Sequence, residues 1–276
     1  ILEKRYICAM KINIKLFLLF ISIILILSCG DYRKILKTPG FEKKLEAALK
    51  YYEEEEYYKS STLFQDIKPL VKGSEKSEIV DFYFAYSLYN LKQYALSAKY
   101  FKGFIELFSR SDKVIEAEYL YAFSLYKESP NSNLDQSNTI EAINAIQSFI
   151  NKYPYSEFSK GANELIDELQ IKLETKNFEN AKQYYKTRMY KSAIIALNNF
   201  ENDFPDSSYN DECNYLKIVC QYLIAKNSFD DLKKERYKKV TEYYLKFVDK
   251  YPNSSFITEA EKMYVESLNL LTKFAE

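Results

Sequence analysis

A short motif, aromatic-Pro-x-Ser, occurs three times in the chain, each time directly after a segment with the apolar periodicity of an amphipathic helix. Proline lacks an amide donor and clashes with the preceding turn, so it ends a helix and moves the residue before it out of the α region. A serine two residues later can accept a hydrogen bond from a free amide and begin the next helix. The repetition of this stop-and-start unit predicts a repeated helical structure. The three copies are Tyr153-Pro154-Tyr155-Ser156, Phe204-Pro205-Asp206-Ser207 and Tyr251-Pro252-Asn253-Ser254.

The composition favours helices and argues against several classes of function. The 276 residues include only 5 Gly and 6 Pro, fewer than the turns of a sheet protein need. Lys+Arg and Asp+Glu balance at 39 each, so the chain lacks the basic footprint of a nucleic-acid-binding protein. The sequence has no His, which removes the commonest general base and a common zinc ligand. We therefore expect no nucleic-acid partner, no metal site and no cofactor.

Small residues mark the first repeats. Ala48, Ala85 and Ala122 recur every 37 residues, each within a predicted helix, where a small side chain allows a second helix to approach closely. The segments 57–67 and 94–105 then share a starting tyrosine, small residues and a phenylalanine, spaced along one helix face. This pattern resembles the tetratricopeptide repeat, a helix-turn-helix unit of about 34 residues. The expected fold is an all-α tetratricopeptide-repeat solenoid of about five helix pairs with a C-terminal capping helix.

The later repeats are less regular. The first two repeats have Lys72 and Ser109 where the proline would fall, so the motif marks the C-terminal half of the chain. Repeat four fits the tetratricopeptide pattern without a gap, with Ala181 as the small residue of its first helix. The remaining expected elements are insertions at 130–137 and 228–236, a linking helix over about 157–175, a last pair over about 211–227 and 237–250, and a capping helix over about 258–274.

The N-terminus reads as a targeting segment. Lys11 and Lys15 precede an apolar run over 16–27 that is shorter than the roughly 20 residues of a membrane span. Ile26-Leu27-Ser28-Cys29 resembles the bacterial lipobox, and that resemblance implies cleavage before Cys29 and acylation of this cysteine. An ordinary secretion signal with a chance cysteine is the alternative. Residues 1–9 precede a plausible initiator, Met10, and are interpreted as an over-extended reading frame.

Two further cysteines lie on one predicted helix. Cys213 and Cys220 are seven residues apart, which is roughly 10 Å along a helix and too far for a disulfide. No other ligand type gathers around them in the sequence. We interpret both as small packing residues rather than as a metal or redox site.

Aromatic residues dominate the face that the repeat positions predict to be concave. Such a surface suits an extended or aromatic-rich peptide, because tyrosine and phenylalanine bury much area and tyrosine keeps a hydrogen-bonding tip. The alternative is that these aromatics form the core between repeats. The predicted groove residues are Leu49, Tyr52, Phe82, Tyr86, Tyr89, Asn90, Tyr119, Phe123 and Tyr126, and Leu45 and Glu53 are predicted on the same concave face.

The lipobox, the five-repeat layout and the segments around Phe149–Ser156 and Lys176–Ile194 together resemble the BamD (YfiO) family of tetratricopeptide lipoproteins. The resemblance implies an outer-membrane lipid anchor at Cys29, facing the periplasm, and no catalytic activity. It also implies two partners, unfolded outer-membrane protein precursors and the barrel-forming (BamA-like) subunit. The chain departs from the family pattern at Met189, where a small turn residue is usual. The implied regions are a leader over 1–28, a lipidated linker over 29–40, substrate-binding repeats over 41–156 and, over 157–276, a linking helix with scaffold-docking repeats.

Two other functions remain open from the sequence. The first is a different periplasmic tetratricopeptide lipoprotein adaptor, such as a pilotin or a cell-envelope coordinator. The second is an enzyme, for instance a glycosidase, which would need two carboxylates held about 5–10 Å apart in a cleft. A deep pocket with two buried acids would favour the enzyme, and a shallow aromatic groove would favour a binding protein.

Overall fold

The computed structural model describes residues 32–273, which form helices and turns without a strand. A short helical segment at 32–36 is followed by eleven helices, which confirms the all-α prediction and its layout of five pairs and a final helix. They are α1 (Glu42–Glu53), α2 (Tyr57–Ile67), α3 (Lys76–Asn90), α4 (Tyr94–Leu107), α5 (Val114–Glu128), α6 (Ser137–Lys152), α7 (Ala162–Lys186), α8 (Tyr190–Asp203), α9 (Asn210–Lys226), α10 (Asp230–Lys250) and α11 (Ile257–Lys273).

The described residues divide into two compact units, residues 32–129 with 141–163 and residues 130–140 with 164–273. In the first unit each of α1 to α5 packs against its neighbour in sequence. Its core is rich in phenylalanine, with Phe64, Phe84, Phe101 and Phe104 all buried. The second unit packs α8 against α9, and α10 against both α9 and α11, around buried residues such as Phe200, Val240 and Phe247.

Buried serines explain why the 37-residue spacing is strict. Ala48 and Ala85 are fully buried, and the carbonyl oxygen of each accepts a hydrogen bond from a serine on the following helix. The Ser60 hydroxyl donates to Ala48 at 2.9 Å and the Ser97 hydroxyl donates to Ala85 at 3.1 Å. A larger side chain at any of these positions would separate the two backbones and break the bond. The small-residue pattern therefore fixes the distance between the helices of a pair.

The turns inside repeats one, two and four share one geometry. Each helix ends with a residue in the left-handed region: Glu55 (φ 60°), Lys92 (φ 60°) and Arg188 (φ 63°). The amide of the next residue bonds back to a carbonyl five residues earlier, as Met189 does to Tyr184 at 2.8 Å. This is the Schellman motif at a helix C-terminus. Glycine usually occupies its left-handed position, because glycine has no Cβ that would clash with the backbone in that conformation. The turn position that favours glycine is therefore Arg188, whereas Met189 itself has an ordinary φ of −85°.

A serine starts the turn after every repeat, including the two that lack the proline. The hydroxyl oxygens of the five serines accept from the amide two residues later, at 3.0 to 3.3 Å. A helical turn follows each of these serines, and the next α-helix begins within about one further turn. The element that all five turns share is therefore the serine, and the proline is dispensable. The prediction from the sequence confined the motif to the C-terminal half because it required the proline. The serines are Ser74, Ser111, Ser156, Ser207 and Ser254.

Two helices differ from their predicted bounds. The predicted linking helix and the first helix of repeat four are one continuous helix, α7, of 25 residues. Leu169, Phe178 and Ala181 are all buried along it, and no proline or glycine interrupts it after Ala162. The insertion predicted at 228–236 also lies mostly within a helix, because α10 begins at Asp230.

The predicted lipidation site, Cys29, and the leader over 1–28 lie outside the described residues. Of the predicted linker, residues 32–40 are described, and three of them pack on the first core: Tyr32, Ile35 and Leu36. Among residues 32–273, none of the helices has the length and apolar character that crossing a membrane requires.

Cys213 and Cys220 are buried and form no disulfide. The Cys213 thiol donates to the Leu197 carbonyl oxygen at 3.3 Å. Burial raises the pKa of both thiols to about 12, so neither is a thiolate at neutral pH. Both are packing residues, as the sequence indicates.

Candidate peptide-binding groove

Five of the predicted groove residues form a continuous row of rings in the first unit. The row runs along the first helices of repeats one to three, α1, α3 and α5. Ring centroids are 5.7 Å apart for Tyr52 and Tyr86, 6.1 Å for Tyr86 and Tyr89, 6.3 Å for Tyr89 and Phe123, and 5.3 Å for Phe123 and Tyr126. All five side chains are half-buried, so each has both a packed edge and a surface open to a partner. We call these five residues the aromatic row.

Of the other four predicted groove residues, two lie beside the aromatic row and two pack on the core. Tyr119 stacks on Phe123 at 5.5 Å, and Asn90 hydrogen-bonds Tyr52, so both lie beside the aromatic row. Leu49 is half-buried against the first core and is not part of the row. Phe82 is a correction: it is 2 % exposed and packs on Phe101 and Phe104, so it belongs to the core.

Several contributors were missed by the sequence reasoning. Tyr57 and Tyr83 pack on Tyr52 at 5.5 and 4.8 Å, and Tyr94 packs on Tyr89 at 5.6 Å. The 37-residue spacing of Tyr57 and Tyr94 was a usable signal, because it places both at the start of a second helix. Phe158, which stacks on Tyr119 at 5.0 Å, sits in the 3₁₀ turn after repeat three and carries no periodic signal.

Charges of opposite sign lie at different points of the aromatic row. The Glu116 carboxylate hydrogen-bonds Tyr86 near the middle of the row. At the repeat-three end, the Lys127 ammonium lies 4.9 Å from the Phe123 ring centroid and 5.2 Å from that of Tyr126. A cation over a ring face is attracted by the ring quadrupole, which keeps Lys127 close to the row.

Three tyrosines of the row, Tyr52, Tyr86 and Tyr89, stay protonated at any physiological pH. Burial is the first cause of the raised pKa of Tyr52, Tyr86 and Tyr89, and neighbouring tyrosines or Glu116 raise it further. For Tyr89 the pKa rises to about 12. The hydroxyls therefore act as neutral hydrogen-bonding groups beside apolar ring faces. Such a surface suits a peptide that presents aromatic side chains and extended backbone.

Neither of two cavities among the described residues holds a pair of buried carboxylates. One, of about 660 Å³, is lined partly by Leu107 and Phe108, and its single acid, Asp81, pairs with Lys68 at 2.7 Å. Another cavity, of about 450 Å³, has three glutamates, but Glu106 and Glu141 are exposed, and Glu118 accepts from Lys152 and Tyr153. No group of three or more His, Cys, Asp or Glu that could hold a metal occurs within 32–273.

Helix pairs joined by Schellman turns, with small residues at fixed intervals and an aromatic row on the first helices, define a tetratricopeptide-repeat protein. The chain matches the YfiO outer membrane lipoprotein family over residues 42–213 and belongs to that family.

Among solved structures, one match is to the TPR2AB domain–pHSP90 complex of yeast Sti1. It has 12% identity and a TM-score of 0.38, and the match covers 82% of this chain and 97% of that one. A comparison with curated proteins finds no match.

Proposed function

We propose that this protein is a non-catalytic scaffold of the machinery that assembles outer-membrane β-barrel proteins. In this proposal Cys29 is acylated, and the repeats face the periplasm from the outer membrane. The observation that carries the proposal is the family match over 42–213, which includes all of α1 to α8. The aromatic row lies within this matched region and supplies a surface of the right chemistry.

The first unit is the proposed receptor for unfolded barrel precursors. An unfolded strand of such a precursor offers alternating apolar side chains and unpaired backbone groups. The ring faces of the aromatic row can pack on the side chains, while the tyrosine hydroxyls can hydrogen-bond the backbone. Phe82 lies beneath Tyr86, at a ring distance of 5.7 Å, and supports the row from the core.

The second half of the chain, residues 157–276, is the proposed docking region for the barrel-forming (BamA-like) subunit. Support for this partner comes from the family alone. A pull-down from membranes should recover a large β-barrel protein, identified by mass spectrometry. Recovery of a secretin or a peptidoglycan synthase instead would favour the alternative, another tetratricopeptide lipoprotein adaptor.

The groove has a direct binding test. A labelled peptide with the sequence of the last strand of an outer-membrane barrel protein is titrated with the protein, and binding is followed by fluorescence anisotropy. Replacing both Tyr86 and Tyr89 with alanine should weaken binding by about 10- to 100-fold, because central aromatic contacts each contribute more than about 1 kcal/mol. The matched control replaces Tyr58 and Tyr155, which are 69% and 99% exposed. Equal affinity of both double variants and wild type would exclude the aromatic row as the binding surface.

The lipid anchor has its own test. Cys29→Ala should move the protein from the membrane fraction to the soluble periplasm, because two or three acyl chains anchor far more firmly than protein contacts of ordinary affinity. Persistence of the variant in the membrane fraction would mean that a protein partner holds it there.

A further inference from the structure

The chain is fixed to the first repeat almost immediately after Cys29. The Tyr32 ring packs edge-on against Tyr51 with a centroid distance of 5.8 Å. Ile35 and Leu36 pack against the first core, and the Thr38 hydroxyl donates to the Lys34 carbonyl oxygen at 3.0 Å. Residues 32–38, which we call the N-terminal segment, are therefore part of the folded unit rather than a free linker.

The opposite face of the N-terminal segment is basic. Arg33, Lys34 and Lys37 are exposed, while Tyr32, Ile35 and Leu36 are at least partly buried. No acid occurs between Tyr32 and Phe41, and Asp31 is the only one between Cys29 and that point. The whole chain has a formal net charge of zero, so the excess of three positive charges in this segment does not follow from the overall composition.

The spacing brings these cations to the place where the anchor enters the membrane. Tyr32 follows Cys29 by three residues, and three residue-to-residue steps of a fully extended chain span about 11 Å at most. That is roughly one Debye length at physiological salt, over which a surface potential still acts on a charge. A basic segment so close to an acylated residue adds an electrostatic attraction to the insertion of the acyl chains.

We propose that the basic face of the N-terminal segment binds the anionic phospholipid headgroups of the bilayer in which Cys29 is anchored, and so holds the first unit at the membrane surface. This inference rests on the proposed acylation of Cys29. Each cation near an anionic surface increases the binding constant about fivefold, so three give about 100-fold.

The test uses the mature chain, residues 29–276, with one saturated 14-carbon chain attached to the Cys29 thiol in vitro. Cys213 and Cys220 are buried, so alkylation of the folded protein is directed to Cys29. A single chain of this length gives only marginal, reversible binding, which leaves the electrostatic contribution measurable. Partitioning is measured with vesicles of phosphatidylcholine alone and with equal parts phosphatidylcholine and phosphatidylglycerol.

We expect the wild type to bind the anionic vesicles about 100-fold more tightly than the neutral ones. Replacing both Arg33 and Lys37 with serine should reduce binding to anionic vesicles about 25-fold and leave neutral vesicles unaffected. Exchanging them as Arg33→Lys with Lys37→Arg should retain the binding. The matched control, Lys99→Ser with Lys102→Ser on α4, removes the same charge elsewhere and should have little effect.

Equal binding of wild type to both vesicle types, or equal losses for the two serine pairs, would overturn the proposal. The proposed acylation of Cys29 is tested separately, by fractionation of cells that produce Cys29→Ala. A negative result there would not change the outcome of the vesicle experiment, because the acyl chain in that experiment is attached in vitro.

Discussion

At the scale of single residues, Glu201 joins three helices of the second unit. From α8 it accepts hydrogen bonds from Lys217 at 2.6 Å and Asn214 at 3.1 Å on α9, and from Lys250 at 2.9 Å on α10. Burial alone would raise the pKa of Glu201, but the hydrogen bonds from these three residues outweigh it and lower the pKa to about 2. A carboxylate with a lowered pKa stabilises the fold above its unfolded pKa and loses that contribution as pH falls through the folded value.

Glu201→Gln should therefore lower the free energy of unfolding at pH 7 by about 1–3 kcal/mol. The difference from wild type should shrink between about pH 4.5 and pH 2, as wild-type Glu201 becomes protonated. Urea unfolding at a series of pH values measures both effects. Glu242→Gln, an exposed position on α10, is the control and should change stability little. A pH-independent deficit would contradict the assigned role of the charge.

At the same scale, the repeated turn serines should each contribute to stability. Ser254→Ala removes the oxygen that accepts from the Phe256 amide at 3.1 Å before α11. Loss of such a cap costs about 1 kcal/mol, which thermal unfolding can detect. Ser148→Ala, at an exposed position within α6, is the control, and alanine should be neutral or slightly stabilising there.

At the scale of elements, three of the helix-to-helix turns of this chain carry local backbone strain. A residue other than glycine in the left-handed region costs about 1–2 kcal/mol, partly offset by its smaller loss of backbone entropy on folding. Glu55, Lys92 and Arg188 all occupy that region. The turns persist because packing of the two helices on either side determines the conformation of the residues between them.

Arg188→Gly should consequently raise stability by about 0.5–1 kcal/mol, seen as a higher midpoint in thermal or urea unfolding. The control is Lys99→Gly at an exposed position within α4, where the same side-chain loss should destabilise by about 1 kcal/mol. If both glycine variants were destabilised alike, the left-handed geometry at Arg188 would carry no measurable strain.

At the scale of the whole molecule, a chain that begins at Cys29 and is not acylated should have one reactive thiol, at Cys29, and two buried, unreactive ones. Cys213 and Cys220 have no exposed surface, and burial raises the pKa of both, so they react only after the second unit opens. For Cys29→Ser we expect no rapid reaction with a chromogenic disulfide under native conditions and two equivalents in denaturant. Rapid native labelling of either cysteine would show that the packing around α9 is looser than described.

The sequence predicted the helical repeats well because their signals are local. Proline, small residues and the 37-residue spacing act on neighbouring helices. It failed at α7 because nothing at Lys176 or Asn177 is a helix breaker, and the apparent boundary came from fitting a repeat length. It could not separate Phe82 from Tyr86 because both lie on the apolar stripe of α3 and both contact Phe101 of α4. Only the tertiary packing around them leaves Phe82 buried and Tyr86 half-buried. The lysine over Phe123 is likewise a tertiary feature without a sequence pattern.

The ring-to-ring contacts of the aromatic row have a thermodynamic consequence. Side chains that already rest on one another lose little rotational freedom when a ligand covers them, so the surface is preorganised. Binding should then show a negative heat-capacity change from burial of apolar area, with a small conformational penalty on the protein side. A ligand that is itself unstructured would bring most of the ordering cost, so short peptides constrained to an extended shape should bind more tightly than flexible ones of the same sequence.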